Sequence, residues 1–235
     1  MYNPSWLRFC KRVVRAGLGT DHLLGRDLAV ETLRLGSIYG GWSVAPEPLN
    51  SVRQPIVLSF GLGDDISFDQ EVTSRFGAKV YGFDPTPRSL DWLEDVVKPD
   101  SMEVYPIGIA KADGVQTFFG SPADARGNFS SKAGGGTSVD CRVMSYRSIL
   151  DMIGVSRPDV LKLDIEGAEY DVLPDILKFD LPTQLLVEFH HRLHGINVDD
   201  TLRAVSSIKK AGYKLISVSP SGQELSFMLA SAYAR

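Results

Sequence analysis

A strand–glycine–helix–strand pattern between Pro55 and Asp84 constrains this chain more than any other feature. An apolar run (Ile56–Phe60) leads into Gly61-Leu62-Gly63, and a second apolar run (Val80–Phe83) ends on Asp84. Glycines after a first strand allow a tight turn close to a ligand. An acidic residue about 20 positions further on, at the end of the second strand, can bind the two hydroxyls of a ribose. The pattern therefore predicts an α/β protein that binds an adenosine-containing cofactor.

The charge of the glycine loop distinguishes between such cofactors. The third glycine of the dinucleotide fingerprint is absent, because Ile66 stands in its place, and the loop carries Asp64 and Asp65. Two carboxylates would repel a pyrophosphate but suit a cation. S-adenosylmethionine carries positive charge on its amino group and its sulfonium. The loop therefore favours S-adenosylmethionine over a nicotinamide dinucleotide.

From Pro55 onward, short apolar runs alternate with helical patterns, which predicts a parallel sheet covered by helices. The predicted strands are Ile56–Phe60, Lys79–Phe83, Glu103–Ile107, Asp159–Leu163, Gln184–Phe189, Tyr213–Val218 and Glu224–Leu229, with shorter β segments at Val115–Phe119 and Ser138–Val143. The predicted helices start near Ser67 as N-cap and at Thr86-Pro87, and cover Tyr146–Ile153, Ala168–Lys178 and Asp199–Ala211. We expect an N-terminal cap (residues 1–50) packed on a cofactor-binding domain (residues 51–235). The loop over residues 121–138 is predicted to be either mobile or substrate-gating.

The composition is that of an ordinary soluble protein, with 43% apolar and 23% charged residues. A net charge of -4 gives no support for a nucleic-acid partner. No apolar run approaches the roughly 18 residues that cross a bilayer, so we expect a cytoplasmic protein. Near the N-terminus, Trp6, Phe9, Cys10 and Val13 follow helical spacing. This spacing predicts a helix that packs on the domain, with a membrane-surface or partner-binding helix as the alternative.

Two polar clusters follow the fourth and fifth predicted strands, at the sheet edge where open α/β folds bind ligands. KLDIEGAEYDVL carries Asp164 and Glu166, and VEFHHRLHG carries Glu188, His190 and His191. A histidine titrates near neutral pH, so His190 or His191 can remove a hydroxyl proton. The alternatives are that the acids cap the next helix and that the histidines face solvent in a loop. Asp164, Glu188 and His190 could also bind a divalent ion, but no dedicated ligand spacing supports this, and we predict no metal.

Four segments, VLSFGLGDD, VYGFDPTP, DVLKLDIEGAEYDVL and LLVEFHHRL, resemble in order and spacing the FkbM-type S-adenosylmethionine-dependent methyltransferases. The KxDxEGxE element is the most specific of these, and the resemblance runs from about Leu35 to Leu229. It implies a class I methyltransferase, Rossmann-like fold, with a seven-stranded, mostly parallel sheet, an antiparallel last strand and helices on both faces. The segment around LGSIYGGW is similar to a branch related to the animal methyltransferase-like proteins.

The resemblance also implies roles for particular residues. The implied cofactor-binding residues are Tyr39, Gly40, Trp42, Gly61, Gly63, Asp64, Asp65, Asp84, Pro85, Ile107, Gly108 and Asp164. Within this set, the glycines of the loop would contact the methionine part, Asp84 the ribose, and Ile107-Gly108 the adenine. The family often has an acidic residue where Ser59 stands, and Asp64 or Asp65 can replace its contact with the methionine amine.

The resemblance implies O-methylation of a small molecule such as a sugar, a polyketide or another metabolite. The expected catalytic residues are Asp164, Glu166, Glu188, His190 and His191, with His190 or Asp164 as the base that accepts the hydroxyl proton. Two alternatives stay open at this point: an NAD-dependent oxidoreductase, and a non-catalytic scaffold that keeps the fold. The sequence does not indicate the oligomeric state.

Overall fold

The computed structural model describes residues 5–120, 129–130, 138–179, 181–193 and 195–233. The helices are α1 (Ser5–Gly17), α2 (Pro46–Asn50), α3 (Ser67–Phe76), α4 (Pro87–Glu94), α5 (Tyr146–Ile153), α6 (Glu169–Ile176), α7 (Val198–Lys210) and α8 (Ala230–Tyr233). The strands are β1 (Leu33–Leu35), β2 (Trp42–Val44), β3 (Ile56–Phe60), β4 (Lys79–Phe83), β5 (Met102–Tyr105), β6 (Gly108–Ile109), β7 (Gly114–Gly120), β8 (Phe129–Ser130), β9 (Ser138–Met144), β10 (Val160–Leu163), β11 (Gln184–Glu188), β12 (Tyr213–Val218) and β13 (Glu224–Leu229).

A seven-stranded sheet in the order β5-β4-β3-β10-β11-β13-β12 forms the centre of the molecule. The pairs along β5, β4, β3, β10 and β11 are parallel, whereas β13 runs antiparallel to both β11 and β12. The last strand is therefore antiparallel, as predicted. Because the parallel strands share one direction, the carboxyl ends of β3, β4, β10 and β11 meet at one edge of the sheet.

The central strands are buried on both faces, as parallel strands covered by helices must be. On β3, Val57 and Leu58 are both fully buried, but they belong to different apolar clusters. Leu58 packs in the cluster that holds buried residues of α5, α6 and α7, and Val57 in the cluster that holds those of α3 and α4. The predicted class I fold with helices on both faces is thereby confirmed.

A second, four-stranded sheet in the order β6-β9-β7-β8 follows the third parallel strand. The two short β segments predicted from the sequence form its antiparallel pair β7–β9. Of the loop predicted over residues 121–138, all except residues 129–130 and 138 lies outside the described part of the chain. This sheet contributes Phe118 of β7 to the wall of a cavity that opens at the carboxyl edge of the main sheet.

The N-terminal segment contacts the main sheet through β2. Trp42 and Val44 are buried, and the backbone N–H and C=O of Ala45 exchange hydrogen bonds with the Gln184 side chain at 2.7 and 2.9 Å. The backbone thus carries residues 39–42 to the cavity at the carboxyl edge of the sheet.

Among the described residues, no helix is long and apolar enough to cross a membrane.

Two local predictions are wrong. Ser67 does not cap α3, because Ile66 precedes the helix and the side chain of Asp65 instead accepts the Ser67 N–H at 2.8 Å. The predicted packing face of α1 does not pack on the domain: Trp6 and Phe9 are 63% and 51% exposed. The physical reason for the second error is the burial of a cation on the opposite side of the helix, which is described below.

Candidate active site

A cavity of about 540 Å³ opens at the carboxyl edge of the sheet, within the usual range for small-molecule sites. It is lined by the predicted residues Tyr39, Gly40, Trp42, Gly61, Gly63, Asp64, Asp65, Asp84, Pro85, Gly108, Asp164, Glu166, Glu188 and His190. Two predicted residues are not among its lining. Ile107 is 4% exposed and packs in the core, and Ile109, two positions later, lines the cavity instead. The other exception is His191, discussed below.

The two glycines of the loop after β3 differ in what they require. Gly61 has a φ of +77°, and a Cβ at this position would lie 1.6 Å from the carbonyl oxygen of Asp164. Gly63 also has a positive φ, of +55°, but its Cβ would meet no atom within 4 Å. The first glycine therefore permits the close approach of β3 and β10, and the second leaves open space at the cavity wall.

Asp84 organises the loop from the end of β4. One carboxylate oxygen accepts the N–H groups of Leu62 and Gly63 at 3.0 and 3.1 Å. The other accepts the N–H and the hydroxyl of Thr86 at 2.9 and 2.6 Å. A carboxylate has about four lone-pair positions, and all four are in use. Ribose binding by Asp84 would thus require one of these donors to be shared or released, and the predicted role stays a prediction.

The two acidic residues of the loop face different surroundings. Asp64 is exposed at the cavity, whereas Asp65 accepts the Ser37 hydroxyl at 2.6 Å and so holds the N-terminal segment. Burial raises the pKa of Asp65, but hydrogen bonds from the Ser37 and Ser67 side chains and backbone outweigh it and lower the pKa below its ordinary value. Asp65 is therefore an ionised structural anchor, and Asp64 is the carboxylate available to a ligand.

Lys162 is a lining residue that sequence reasoning did not single out, although it opens the KxDxEGxE motif. It is 4% exposed, its ammonium donates to the Gly61 carbonyl at 2.7 Å, and it lies 5.8 Å from the centre of the Trp42 ring. A buried ammonium needs such partners. Lys162 therefore connects the glycine loop to the N-terminal segment and is, with Arg8 and Arg88, one of the cations that line the cavity.

Three carboxylates converge on His190 at the ends of β10 and β11. Its Nε2 lies 3.4 Å from Glu166, 3.8 Å from Asp164 and 4.0 Å from Glu188. Glu188 and His190, two positions apart, lie on the same side of the chain, and both line the cavity. The structure thus brings together four of the five predicted catalytic residues.

On the other side of the ring, His190 is held by Glu169, which sequence reasoning missed as a site residue. The Nδ1 of His190 lies 2.8 Å from Oε1 of Glu169, which is fully buried and also accepts the Ile165 N–H. A carboxylate partner places the proton on Nδ1, so the neutral ring presents the lone pair of Nε2 to the cavity. The second glutamate of KxDxEGxE was the available signal, but its pairing with a residue 21 positions later follows only from the fold.

The crowded charges shift the titration of these groups. Burial lowers the pKa of His190, but the Glu169, Glu188 and Glu166 carboxylates outweigh it and hold the pKa well above its ordinary value. Burial, reinforced by the nearby Asp164 charge, raises the pKa of Glu188 well above its ordinary range. Burial also raises the pKa of Asp164, against the opposing charges of Lys162 and His190. Perturbed pKa values of this kind are typical of sites that bind and release protons.

The backbone at Glu166 is strained. Its φ of +51° is the one positive φ at a non-glycine residue in the described part of the chain. Such a conformation costs on the order of 1–3 kcal/mol and persists only where the surrounding structure enforces it. Here it occurs in the turn between β10 and α6, immediately before Gly167, and it directs the Glu166 side chain toward His190.

His191 corrects the sequence prediction. The residue is 4% exposed but does not line the cavity, and its Nε2 lies 3.3 Å from Asp21 beside the His22 ring. Burial lowers its pKa, and the charge of Arg192 acts in the same direction. Because neighbouring residues at the end of a strand point to opposite sides, only one of the two histidines can reach the cavity. The structure therefore places His191 beside Asp21 of the N-terminal segment, away from the predicted catalytic residues that line the cavity.

Two groups in the described part of the chain could hold a metal ion, because their donor atoms lie within 4.8 Å of one another. Asp164, Glu166 and His190 form the first, in which Glu166 takes the place that the sequence gave to Glu188. The second consists of Asp21, His22 and His191. Burial is the largest cause that lowers the pKa values of both histidines in the second group, and the charges of Arg12 and Arg192 act in the same direction. The same positive charges disfavour a cation there.

The chain matches a known protein family and is similar to a curated protein. The Methyltransferase FkbM domain matches residues 27–215. The chain is similar to the hexuronic acid methyltransferase AglP of Haloferax volcanii, with 27% identity over 135 residues, or 56% of this chain and 54% of AglP. It thus spans about half the length of this curated relative.

Two solved structures show a more distant likeness. The Methanococcus jannaschii fibrillarin pre-rRNA processing protein has 13% identity and a TM-score of 0.41, covering 77% of this chain and 66% of its own. The precorrin-6y C5,15-methyltransferase of Geobacter metallireducens has 10% identity and a TM-score of 0.41, covering 77% and 81%. At these values neither structure informs the acceptor or the mechanism. The domain match, in contrast, extends over most of the chain, so the protein belongs to the FkbM methyltransferase family, as its motifs predicted.

Proposed function

We propose that this chain is an S-adenosylmethionine-dependent methyltransferase, that it methylates a hydroxyl oxygen of a small molecule, and that the acceptor is a sugar. The observation that carries the proposal is the Glu169–His190 pair, which holds an imidazole nitrogen toward the cavity beside Asp164. Transfer to oxygen requires that the hydroxyl proton be removed, and a histidine oriented by a carboxylate is a recurrent solution. The name of the relative AglP, a hexuronic acid methyltransferase, supports a sugar as acceptor.

The cavity fits the cofactor. The exposed Asp64 carboxylate at the cavity wall suits a ligand with an amino group and a sulfonium, and the open space around Gly63 leaves room for it. When bound, S-adenosylmethionine supplies an electrophilic methyl group. Tyr39 and Trp42 would cover it from the N-terminal segment, and Pro85 and Ile109 would lie along its adenine side. The role of the chain is to align the reactants and exclude water.

His190 is the first candidate for the general base, with Asp164 as the second. The proton on Nδ1 is held by Glu169, so the acceptor hydroxyl would give its proton to Nε2. The resulting imidazolium is stabilised by the carboxylates of Glu166 and Glu188. Because the pKa of His190 is held well above its ordinary value, the neutral form increases with pH. We therefore expect kcat/KM to rise with pH above neutrality.

The test is the transfer of labelled methyl groups to hexuronates, hexoses and their glycosides. We expect His190→Gln to lower kcat by about 10²–10⁴-fold, the range of general-base catalysis, while the Kd for S-adenosylhomocysteine is unchanged. His191→Gln is the matched control, since this neighbouring histidine does not line the cavity, and it should keep both values. If His190→Gln and Asp164→Asn both retained full turnover, the base assignment would be wrong. Methylation of polyketides without methylation of any sugar would overturn the acceptor class.

A further inference from the structure

The N-terminal helix α1 separates charge and apolar surface unusually completely. Its thirteen residues, SWLRFCKRVVRAG, include four cations and no acidic residue. At 100° per residue, Arg8, Lys11, Arg12 and Arg15 share one side, and the opposite side is apolar. We call this opposite side the α1 apolar face: Trp6, Phe9, Val13 and Val14.

The side of α1 that meets the domain is the one that carries Arg12. Arg12 is 4% exposed and donates to the carbonyls of His22 at 2.8 Å and of Leu24 and Ser219 at 3.4 Å. A Cβ at Gly222 would lie 2.5 Å from Nε of Arg12, so the glycine makes room for the guanidinium. These contacts fix the rotation of the helix about its axis, and they turn its apolar face away from the protein.

The α1 apolar face is consequently exposed to an extent that a soluble helix normally avoids. Trp6 is 63%, Phe9 51%, Val13 41% and Val14 64% exposed. Just past the end of the helix, Leu18 adds a further side chain that is 73% exposed. A contiguous apolar stripe of this kind marks an interaction surface.

We propose that the α1 apolar face docks on the surface of an anionic lipid bilayer. Helices that lie in the bilayer interface combine a tryptophan- or phenylalanine-bearing apolar face with flanking lysines and arginines. Lys11 and Arg15 are both exposed beside the face, where their ammonium and guanidinium groups can reach lipid phosphates. Charge complementarity selects this partner, because Lys11 and Arg15 are exposed cations on a helix without an acidic residue. The other two cations are not counted, since Arg12 is buried and Arg8 lines the cavity.

A second copy of the chain is a poorer occupant of the same face. Pairing two α1 helices through their apolar faces would bring together two segments that each expose Lys11 and Arg15 and carry no acidic residue. Like charges that are brought close together repel one another. An anionic bilayer instead covers the apolar residues and attracts the two exposed cations.

The experiment is sedimentation of the full chain with vesicles of phosphatidylcholine, with and without phosphatidylglycerol. We expect binding to the vesicles that contain phosphatidylglycerol, and weaker binding as salt is raised. The double variant Trp6→Asp/Phe9→Asp should weaken binding by about tenfold or more. Val97→Asp is the control, because Val97 is 84% exposed but lies outside α1, and this variant should bind like the wild type.

A second readout of membrane binding does not depend on the aspartate variants. Trp6 fluorescence should be quenched by brominated lipids, and Trp6→Phe should remove that quenching, because the remaining tryptophans, Trp42 and Trp92, are buried or half-buried. Failure of the wild-type chain to bind anionic vesicles would overturn the proposal. So would a wild-type dimer in solution that Trp6→Asp/Phe9→Asp dissociates, since it would assign the face to a second copy.

Discussion

The two sides of the cavity are held together by opposite means. On the glycine-loop side (residues 61–63 and Asp84), every oxygen of Asp84 is satisfied by hydrogen bonds within the chain. On the acidic side (Asp164, Glu166, Glu188 and His190), carboxylates crowd one imidazole, and the backbone at Glu166 is strained. The comparison indicates that the loop side contributes to the stability of the fold, whereas the acidic side lowers it in exchange for reactivity.

The largest expected effect belongs to the loop side. Gly61→Ala would place a Cβ 1.6 Å from the Asp164 carbonyl oxygen, so β3 and β10 could not keep their positions. We expect the free energy of unfolding, measured in urea, to fall by about 4 kcal/mol or more, and binding of S-adenosylhomocysteine to be lost in calorimetry. Gly63→Ala, with open space around its Cβ, should cost only about 1–2 kcal/mol for its left-handed backbone. Equal stability of the two variants would contradict the assignment.

Asp84→Asn tests the same side through its hydrogen bonds. The amide nitrogen of asparagine cannot accept, so one pair of donors, from Leu62 and Gly63 or from Thr86, would lose its partner. We expect the free energy of unfolding to fall by about 2–4 kcal/mol, together with weaker cofactor binding. Asp64→Asn is the matched control, because Asp64 is exposed, and its effect should stay within about 0.5 kcal/mol. Indistinguishable urea curves for the two variants would remove Asp84 as the organiser of the loop.

Glu169→Gln probes the acidic side without touching the cavity wall. Removing this buried charge lowers the pKa of His190, because the Glu169 carboxylate is the largest of the effects that raise it. The rising limb of the kcat/KM profile should therefore move to lower pH. We also expect kcat at its plateau to fall by about 10- to 100-fold as the ring loses its orientation. An unchanged pH profile would show that another group titrates in the rising limb.

The smallest expected effect has the opposite sign, because Glu188→Gln should stabilise the protein. The folded-state pKa of Glu188 is well above 4.5, so the folded chain keeps a proton that the unfolded chain releases. Wild-type stability is therefore lost as pH rises above 4.5 toward the folded pKa. Glutamine does not titrate, and the variant should gain about 1 kcal/mol at neutral pH and nothing below pH 4.5.

Glu103→Gln is the control for that sign. A hydrogen bond from Lys79 lowers the pKa of the exposed Glu103, so this substitution should give no stabilisation at neutral pH. Urea unfolding of both variants at neutral and acidic pH measures the difference. A loss of stability in Glu188→Gln at neutral pH would mean that the attraction between Glu188 and His190 outweighs the cost of burial, and the contrast between the two sides would fail.

The strands and the cofactor loop could be predicted from the sequence because they depend on local patterns. One helix and two strands have the predicted bounds, namely Tyr146–Ile153, Tyr213–Val218 and Glu224–Leu229. Their ends could be predicted because caps, glycines and apolar periodicity act over a few residues. Asp164, Glu166, Glu188 and His190 were found for a similar reason. They follow parallel strands, whose carboxyl ends must share an edge of the sheet.

Contacts between distant segments could not be predicted. The pairing of Glu169 with His190, the hydrogen bonds from the glycine loop to Asp84, and the burial of Arg12 against Ser219 each join residues that lie far apart in sequence. Because Arg12 is buried against the domain, the opposite face of α1 points away from the protein. The helix therefore exposes the apolar face that its pattern predicted to be packed. The amino-acid sequence by itself determined the family, the sheet and the set of charged groups at its edge. Only the tertiary structure decided which histidine lines the cavity and which carboxylates surround that histidine. The physical reason is that electrostatic and hydrogen-bond energies depend on distances that only the folded chain sets.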